Sequence, residues 1–390
     1  MEKRPSAFCF VRFFCKDFSA FVHSVQFSLF FCVFVIALFL ECRYNGLTFQ
    51  RKGSDENMPK GKRPLWLRKL RTATVAAPSL VRVRLAARRP VEPDAALRLA
   101  LIADLHTDAD PYRDRSNVLR RAFAGMMAQC RGYDGVVAAG DLTNSAHPRE
   151  YALLLGLLRA YFPGALERMI PQMGNHDARG TSIDPDFPQA CRLFQDFCGQ
   201  CGLQARRNYF AVRKKAHTFL VLGTERLLQN EAYLSDAQFE WLEQELARAC
   251  AEGKPVFVVC HQPPHGRNQV DQRWPEGALG AESQRLDALL LRYGQKARAP
   301  IIYISGHLHK RSPAAFEQAG QNVYYLNLPG LLDCGCAPRG TMRAGGEGFV
   351  LAAENGKVTL QGINFITGKR HPEQRYEILY GAPGDEAMPK

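Results

Sequence analysis

From Leu97 onward the chain alternates short apolar runs with stretches whose apolar residues recur at helical spacing. LRLALIAD (97–104) is almost wholly apolar and ends in an acid, the pattern of a buried strand. SNVLRRAFAGMMAQC (116–130) predicts a helix, with Ser116 placed to cap it. GVVAAGD (135–141) predicts a second buried strand, PREYALLLGLLRAYF (148–162) a helix and RMIPQMG (168–174) a third strand. Strands and helices alternating at this spacing build βαβ units and a mostly parallel sheet.

The second half changes rhythm. NYFAVRKKAHTFLVLGT (208–224) predicts two adjacent strands, and Ser235 with Gln238 predicts a capping box opening a helix to Ala251. PVFVVCH (255–261) and PIIYISGH (300–307) are short buried strands ending in histidine. NVYYLNL (322–328), GFVLAAE (348–354) and KVTLQGINF (357–365) follow without helices between them, as in a meander. The pattern fits an α/β fold of two packed mixed β-sheets flanked by helices, an αββα sandwich, occupying residues 91–380.

The N-terminal region reads differently. Residues 1–57 hold 12 of the 24 Phe and 4 of the 12 Cys. Val25 to Leu40 is almost unbroken apolar sequence, and residues 18–40 are long enough to span a bilayer as a helix. Glu41-Cys42-Arg43-Tyr44 follows where a cleaved signal peptide needs small residues. An anchor leaving the body in the cytoplasm and an unidentified targeting segment are two readings. The compositional break before MPKGKRPLW favours a third, in which Met58 begins a cytoplasmic protein and residues 1–57 are translated upstream sequence. Residues 58–90 then form a basic arm, expected to be solvated and to lead into an alternating strand, VRVRL (81–85).

Charge sharpens this division. Residues 1–90 carry 17 Lys/Arg and 5 Asp/Glu, whereas residues 91–390 carry 34 and 33. A body that tracked nucleic-acid phosphates would carry its own basic surface, so no nucleic-acid partner is expected. Membrane contact is confined to residues 1–90, where Lys60 to Arg89 holds ten basic residues and no acid. Cys130, Cys250 and Cys260 read as isolated core thiols. Cys198, Cys201, Cys334 and Cys336 are the close pairs, in a spacing that matches no zinc module.

The chemistry gathers where strands end. The apolar runs deliver Asp104 and His106, then Asp141, Asn175 and His176, then His261, and last His307 and His309. In open α/β sheets ligands collect at the carboxyl ends of strands, so these side chains are expected on one rim. Oxygen and imidazole donors without thiolate suit Mn, Fe, Zn or Ni. Seven of these eight as ligands would exceed what one ion needs, whereas two ions sharing a carboxylate would use them well. Gly140, Gly174 and Gly306 stand beside ligands, where tight turns are needed. The remaining histidines read as structural or solvated, except that His265 in HQPPH follows a presumed ligand by four residues. Asp108 and Asp110 read as loop and turn residues.

In this order ADLH, AAGD, GNHD, CH and GHLH resemble the five signature blocks of the calcineurin-like metallophosphoesterase superfamily. The resemblance runs from Asp104 to His309. It implies that Asp104, His106 and His309 hold one metal, that Asn175, His261 and His307 hold the other, and that Asp141 bridges them. It further implies in-line attack of a metal-bound hydroxide on phosphorus, with His176 protonating or stabilising the leaving oxygen. Asp177 is expected to support the loop, and Asn144 and His265 are further candidates for contact with the ligands or the substrate. GDLTN lacks the acidic-arginine continuation of the family's protein phosphatases, and Asn144 replaces the metal-binding tyrosine of its purple acid phosphatases.

The layout is most similar to bacterial members that include cyclic-nucleotide phosphodiesterases, which implies a small phosphoester substrate. With no phosphate-clamping arginine apparent, a diester is favoured over a monoester. Residues 265–280, including Trp274, are expected to form a lid or wall over the metals. Alternatives are a monoesterase acting on small molecules or on lipid and envelope phosphoesters, and a non-catalytic metal-binding scaffold. A scaffold would have no need of His176.

Overall fold

The structure is a computed structural model that describes residues 64–91, 96–179, 186–268, 278–309, 316–332 and 345–381. The possible membrane segment, Cys334, Cys336 and Trp274 lie outside these residues. Two compact units divide the chain, Met1–Pro78 and Ser79–Lys390, and every described strand belongs to the second.

That unit contains two six-stranded sheets. The first joins β1 (Leu97–Ile102), β2 (Gly135–Ala139) and β3 (Met169–Gln172) in parallel. Helices α2 (Asp114–Cys130) and α3 (Pro148–Tyr161) make the crossovers. The second sheet carries β4 (Phe210–Lys214), β5 (His217–Val221), β6 (Val256–Val259), β7 (Ile301–Ser305), β8 (Phe316–Gln318) and β9 (Val323–Asn327). Its order is β4-β5-β6-β7-β9-β8, parallel at the centre and antiparallel at both edges. Strands β10 (Glu347–Glu354), β11 (Lys357–Asn364) and β12 (Arg370–Leu379) extend the first sheet antiparallel from β1.

The central strands lack polar alternation because both of their faces are covered. Leu99, Leu101, Val137 and Ile170 face Phe219, Phe257, Val259, Ile302 and Ile304 between the sheets. The intervening residues Leu220, Val258 and Tyr303 pack on the other side against α4 (Asp236–Ala251) and α5 (Ser283–Gly294). This sandwich fixes the site, because β1, β2 and β3 of one sheet and β6 and β7 of the other end on the same rim.

Several local expectations are corrected. VRVRL is helical: it lies in α1 (Leu65–Ala87), and the buried residues Ser79, Val83 and Ala86 recur at helical spacing. The two-residue alternation of Val and Arg concealed that longer period. Ser116 does not cap α2, which begins at Asp114; its hydroxyl donates to the Asp110 carbonyl at 2.9 Å. Ser235 accepts from the Gln238 N–H, but the Gln238 side chain turns to the Gly223 backbone and Glu225, so the capping box is half formed. Val323–Asn327 is parallel to β7 in the second sheet, and the meander consists of β10, β11 and β12. Strand β12 escaped the sequence reading because its polar, largely exposed residues, Pro372 among them, suit an edge. No helix among the described residues is long and apolar enough to cross a membrane.

The Phe219 and Phe257 rings stack at 4.8 Å between the sheets, and both side chains are fully buried. Phe257→Ala is therefore expected to cost about 3–5 kcal/mol in urea unfolding. A cost below about 1 kcal/mol would show that this contact does not hold the sandwich together.

Candidate metal centre

Each candidate ligand sits two to four residues past the end of a strand. Asp104 and His106 follow β1, Asp141 follows β2, Asn175 follows β3, His261 follows β6, and His307 and His309 follow β7. Five of the seven have left-handed backbone: Asp104 (φ 54°), His106 (40°), Asp141 (51°), His307 (69°) and His309 (51°). Non-glycine residues rarely adopt this conformation, and clusters of them mark sites where function imposes strain. Backbone bonds lock the turns together. The Asp104 N–H donates to the Gly140 carbonyl at 3.1 Å, His106 N–H to Asp141 at 2.8 Å, and Gly306 N–H to His261 at 2.8 Å. Gly174 serves a close approach: a Cβ there would come within 2.2 Å of Asp141 Oδ1 and 2.3 Å of its backbone nitrogen.

The structure brings ligand atoms of Asp104, His106, Asp141 and His309 within 4.8 Å of one another. His309 Nε2 is 3.0 Å from Asp104 Oδ1, and His106 Nε2 is 3.5 Å from Asp141 Oδ2. Asp141 also faces the other half of the set, since its Oδ2 lies 3.2 Å from His261 Nε2. The His261 and His307 rings meet edge to face at 5.0 Å, and the His307 N–H donates to Asp104 Oδ2 at 3.2 Å. Asn175 donates its amide to the Gln229 carbonyl at 3.1 Å, which leaves its buried Oδ1 without a hydrogen-bond partner.

These residues fit divalent ions. A buried acceptor without a donor costs about 1–3 kcal/mol, a cost that a cation at Asn175 Oδ1 would remove. His261 donates Nδ1–H to the Ala139 carbonyl at 2.8 Å, which turns Nε2 towards the carboxylates. That backbone bond is the usual means of orienting a ligating imidazole. Burial holds His106 and His307 down to about 3, so both are neutral and have a lone pair to give at neutral pH. Burial also opposes charge on His261, but Asp141 and Asp104 outweigh it and raise the imidazole to about 9. Against the same burial, His309 is raised by Asp104, and Asp141 is held well below the carboxylate range by His261, His106 and His176.

Asp177 binds the rim together. Its carboxylate accepts the N–H groups of Leu142, Thr143 and Gly174 at 3.0, 2.8 and 3.0 Å, and the Thr143 hydroxyl at 2.7 Å. The loops after β2 and β3 are thus joined by one fully buried side chain. Burial and the Asp141 charge raise it to about 7, opposed by those donors.

His176 is partly exposed beside the cluster. Its N–H donates to Asp141 Oδ1 at 2.9 Å, its Nδ1 meets the Asn144 carbonyl at 2.7 Å, and its Nε2 lies 3.9 Å from Asp141 Oδ2. Burial holds the imidazole below its ordinary value, and the Arg179 charge acts in the same direction against Asp141. Asn144 thus contacts His176 through its backbone, while its side chain accepts from Arg115 at 3.0 Å. Asp108 pairs with Arg113 at 2.6 Å and caps the Asp110 N–H, as a turn residue does. His265 is exposed.

One residue escaped the sequence reading. Arg179 lies beside the cluster, with Nη2 2.9 Å from His176 Nδ1 and in contact with Nε2. The absence of an apparent arginine therefore gives no ground for preferring a diester. The signal was the GNHDAR run itself, because a helical turn after Gly174 puts residues 176 and 179 on one face.

No protein-family model matches the chain. Among curated proteins it is 27% identical over 231 residues to a glycerophosphodiester phosphodiesterase, GpdQ, of Enterobacter lignolyticus, covering 57% of this chain and 74% of that one. It is also 27% identical over 205 residues to a probable cyclic nucleotide phosphodiesterase of Rhodococcus erythropolis, covering 52% of this chain and 60% of that one. Among solved structures, a dimetal phosphatase from Danio rerio aligns with a TM-score of 0.52 at 14% identity, over 74% of this chain and all of that one. A purple acid phosphatase, PPD1, from yellow lupin aligns with a TM-score of 0.50 at 14% identity, over 75% of this chain and 55% of that one. At such identity the solved structures speak for the fold alone.

Two outcomes follow from this geometry. Gly174→Ala is expected to abolish stoichiometric manganese binding, measured by metal analysis after gel filtration, although no ligand is changed; full retention of metal would refute the close-approach argument. Manganese titrated into metal-free protein at pH 7 is expected to release about one proton from His261. That release should fade as pH rises through about 9, where the imidazole is already neutral. Calorimetry in buffers of different ionisation enthalpy measures it, and a pH-independent proton count would contradict the assignment.

Proposed function

The chain belongs to the calcineurin-like metallophosphoesterase superfamily and is a metal-dependent phosphoesterase, and from that premise we propose that it hydrolyses a phosphodiester bond in a small molecule. The observation that supports this most is the buried Asp104, His106, Asp141 and His309 group with His176 at its open side. The names of the two curated relatives support a diester substrate.

Asp104, His106 and His309 would hold one ion, Asn175, His261 and His307 the other, and Asp141 both. Two divalent ions supply a nucleophile at neutral pH and neutralise charge on the phosphoryl oxygens. The oxygen and nitrogen donor set suits manganese, iron, zinc or nickel. The chain's own contribution is orientation and proton placement. Asp177 holds the Asp141 and Asn175 loops at fixed separation, so the two halves of the ligand set keep their spacing. Ala139 fixes the His261 ring. Asn144 fixes His176 through Nδ1, and Nε2 is the atom from which a proton can reach the leaving oxygen.

Hydrolysis of bis-p-nitrophenyl phosphate and p-nitrophenyl phosphate by manganese-loaded protein tests the reading. The diester is expected to be preferred, Asp141→Asn to abolish turnover, and His176→Ala to lower kcat by about 10²–10⁴-fold while metal remains bound. Turnover of neither ester with two metals bound would favour a non-catalytic scaffold, and preference for the monoester would overturn the diester assignment.

A further inference from the structure

Arg179 is a half-buried cation that has no carboxylate within ion-pair distance among the described residues. Among the other partly buried guanidinium groups described, Arg267 lies 2.8 Å from Asp287 and 3.3 Å from Glu317, while Arg82, Arg120 and Arg168 donate to the backbone carbonyls of Ile366, Pro111 and Gly164 at 2.7, 2.9 and 2.7 Å. Arg179 instead has the ring of His176 and the Gln229 carbonyl, the latter at 3.4 Å, beyond an ordinary N–H···O bond. A guanidinium is always charged and has five donors, and a neutral imidazole is a poor match for it. Moreover Nδ1 of that imidazole already engages the Asn144 carbonyl at 2.7 Å, so one ring nitrogen is left to take an N–H.

The location decides what the missing anion is. The His176 N–H rests on Asp141 Oδ1, and its Nε2 is 3.9 Å from Asp141 Oδ2, so the guanidinium is one side chain away from the carboxylate shared by both halves of the cluster. Asp104 and Asp141 would be taken up by the metal ions, so among the described residues no other anion faces Arg179 there. Arg115, the other guanidinium near this rim, differs because the Asn144 side-chain oxygen holds it at 3.0 Å.

We propose that Arg179 is a substrate-binding residue whose guanidinium takes a non-bridging oxygen of the phosphoryl group being cleaved, leaving the His176 ring to do so. This deepens the phosphoesterase reading and rests on it. Charge-assisted bonds from arginine to phosphoryl oxygens are about twice as strong as neutral ones, which favours the exchange. The exchange links two events. Substrate draws the guanidinium off Nε2 of His176, and that nitrogen is then open to take up a proton from solvent and pass it to the leaving oxygen. The contact with arginine also extends recognition to phosphoryl groups of higher charge, so monoester products and inorganic phosphate are expected to bind at the same place.

The test uses the full-length manganese-loaded protein, with Arg179→Ala, Arg179→Lys and, as a control for loss of one charge, Arg213→Ala. Arg213 is exposed and paired with Glu252 at 2.6 Å on the β4 edge. Calorimetric titration with inorganic phosphate and the KM for bis-p-nitrophenyl phosphate are both measured. Arg179→Ala is expected to weaken phosphate binding by about tenfold or more and to raise KM by a similar factor. Arg179→Lys should recover part of each loss, added guanidinium ion should partly restore Arg179→Ala, and Arg213→Ala should match the unaltered protein. Phosphate affinity and KM within about twofold of the unaltered protein would overturn the proposal. So would a loss that accompanies release of manganese and that guanidinium ion does not relieve, since the role would then be structural. Arginine-dependent phosphate binding without turnover of any ester would sustain this inference while the proposed reaction failed.

Discussion

Two carboxylates from different strands, Asp104 and Asp141, are buried at the sheet ends with almost no solvent exposure, and like charges in such a setting repel and lose their hydration together. Everything around them can be understood as compensation. Asp141 receives a backbone N–H and faces the imidazoles of His106, His261 and His176. Asp104 receives the His307 N–H and faces His309. Protons can meet the charge requirement in metal-free protein, and the proposed divalent ions would meet it as well. The sandwich makes the arrangement possible, because each sheet alone supplies only part of the donor set.

Much of this was legible in the sequence because strands buried on both faces leave an unmistakable apolar signature. A polar residue directly after LALIA, VVAAG or FVVC has nowhere to be except the rim, so Asp104, Asp141 and His261 declare their position through the residues before them. The αββα architecture follows from the same runs. What escaped depends on relationships that no local pattern carries. That Val323–Asn327 joins β7 rather than the meander is a matter of which sheet an apolar strand reaches, and its own residues are equally suited to both. The VRVRL segment satisfies two periods at once, and only its burial inside a longer helix decides between them. Arg179 stands two residues past GNHD, but its significance lies in having no carboxylate within ion-pair distance among the described residues, which is a property of its surroundings.

The compensation is also mechanical. Asp177 gathers four donors from the loops after β2 and β3, while the Ala139 carbonyl anchors an imidazole that belongs to the opposite sheet. Neither contact touches a reacting atom, yet together they relate the two halves of the donor set. Rigid elements held by such supporting bonds place ligands more exactly than mobile loops can. His176 and Arg179, by contrast, lie on the open side of the cluster, partly exposed, where movement costs less.

The left-handed backbone at Asp104, His106, Asp141, His307 and His309 has a consequence for how the protein responds to selection. Glycine would be the more comfortable residue at each of these positions, where a side chain costs about 1–3 kcal/mol. Replacing a proposed ligand would therefore relax the polypeptide while removing a donor from the proposed centre. A screen for thermal robustness alone, run without metal, would reward loss of the site, and variants enriched that way would be sturdier and inert. In this fold durability and catalysis have to be selected together, because the five positions where they conflict are the proposed ligands of the centre.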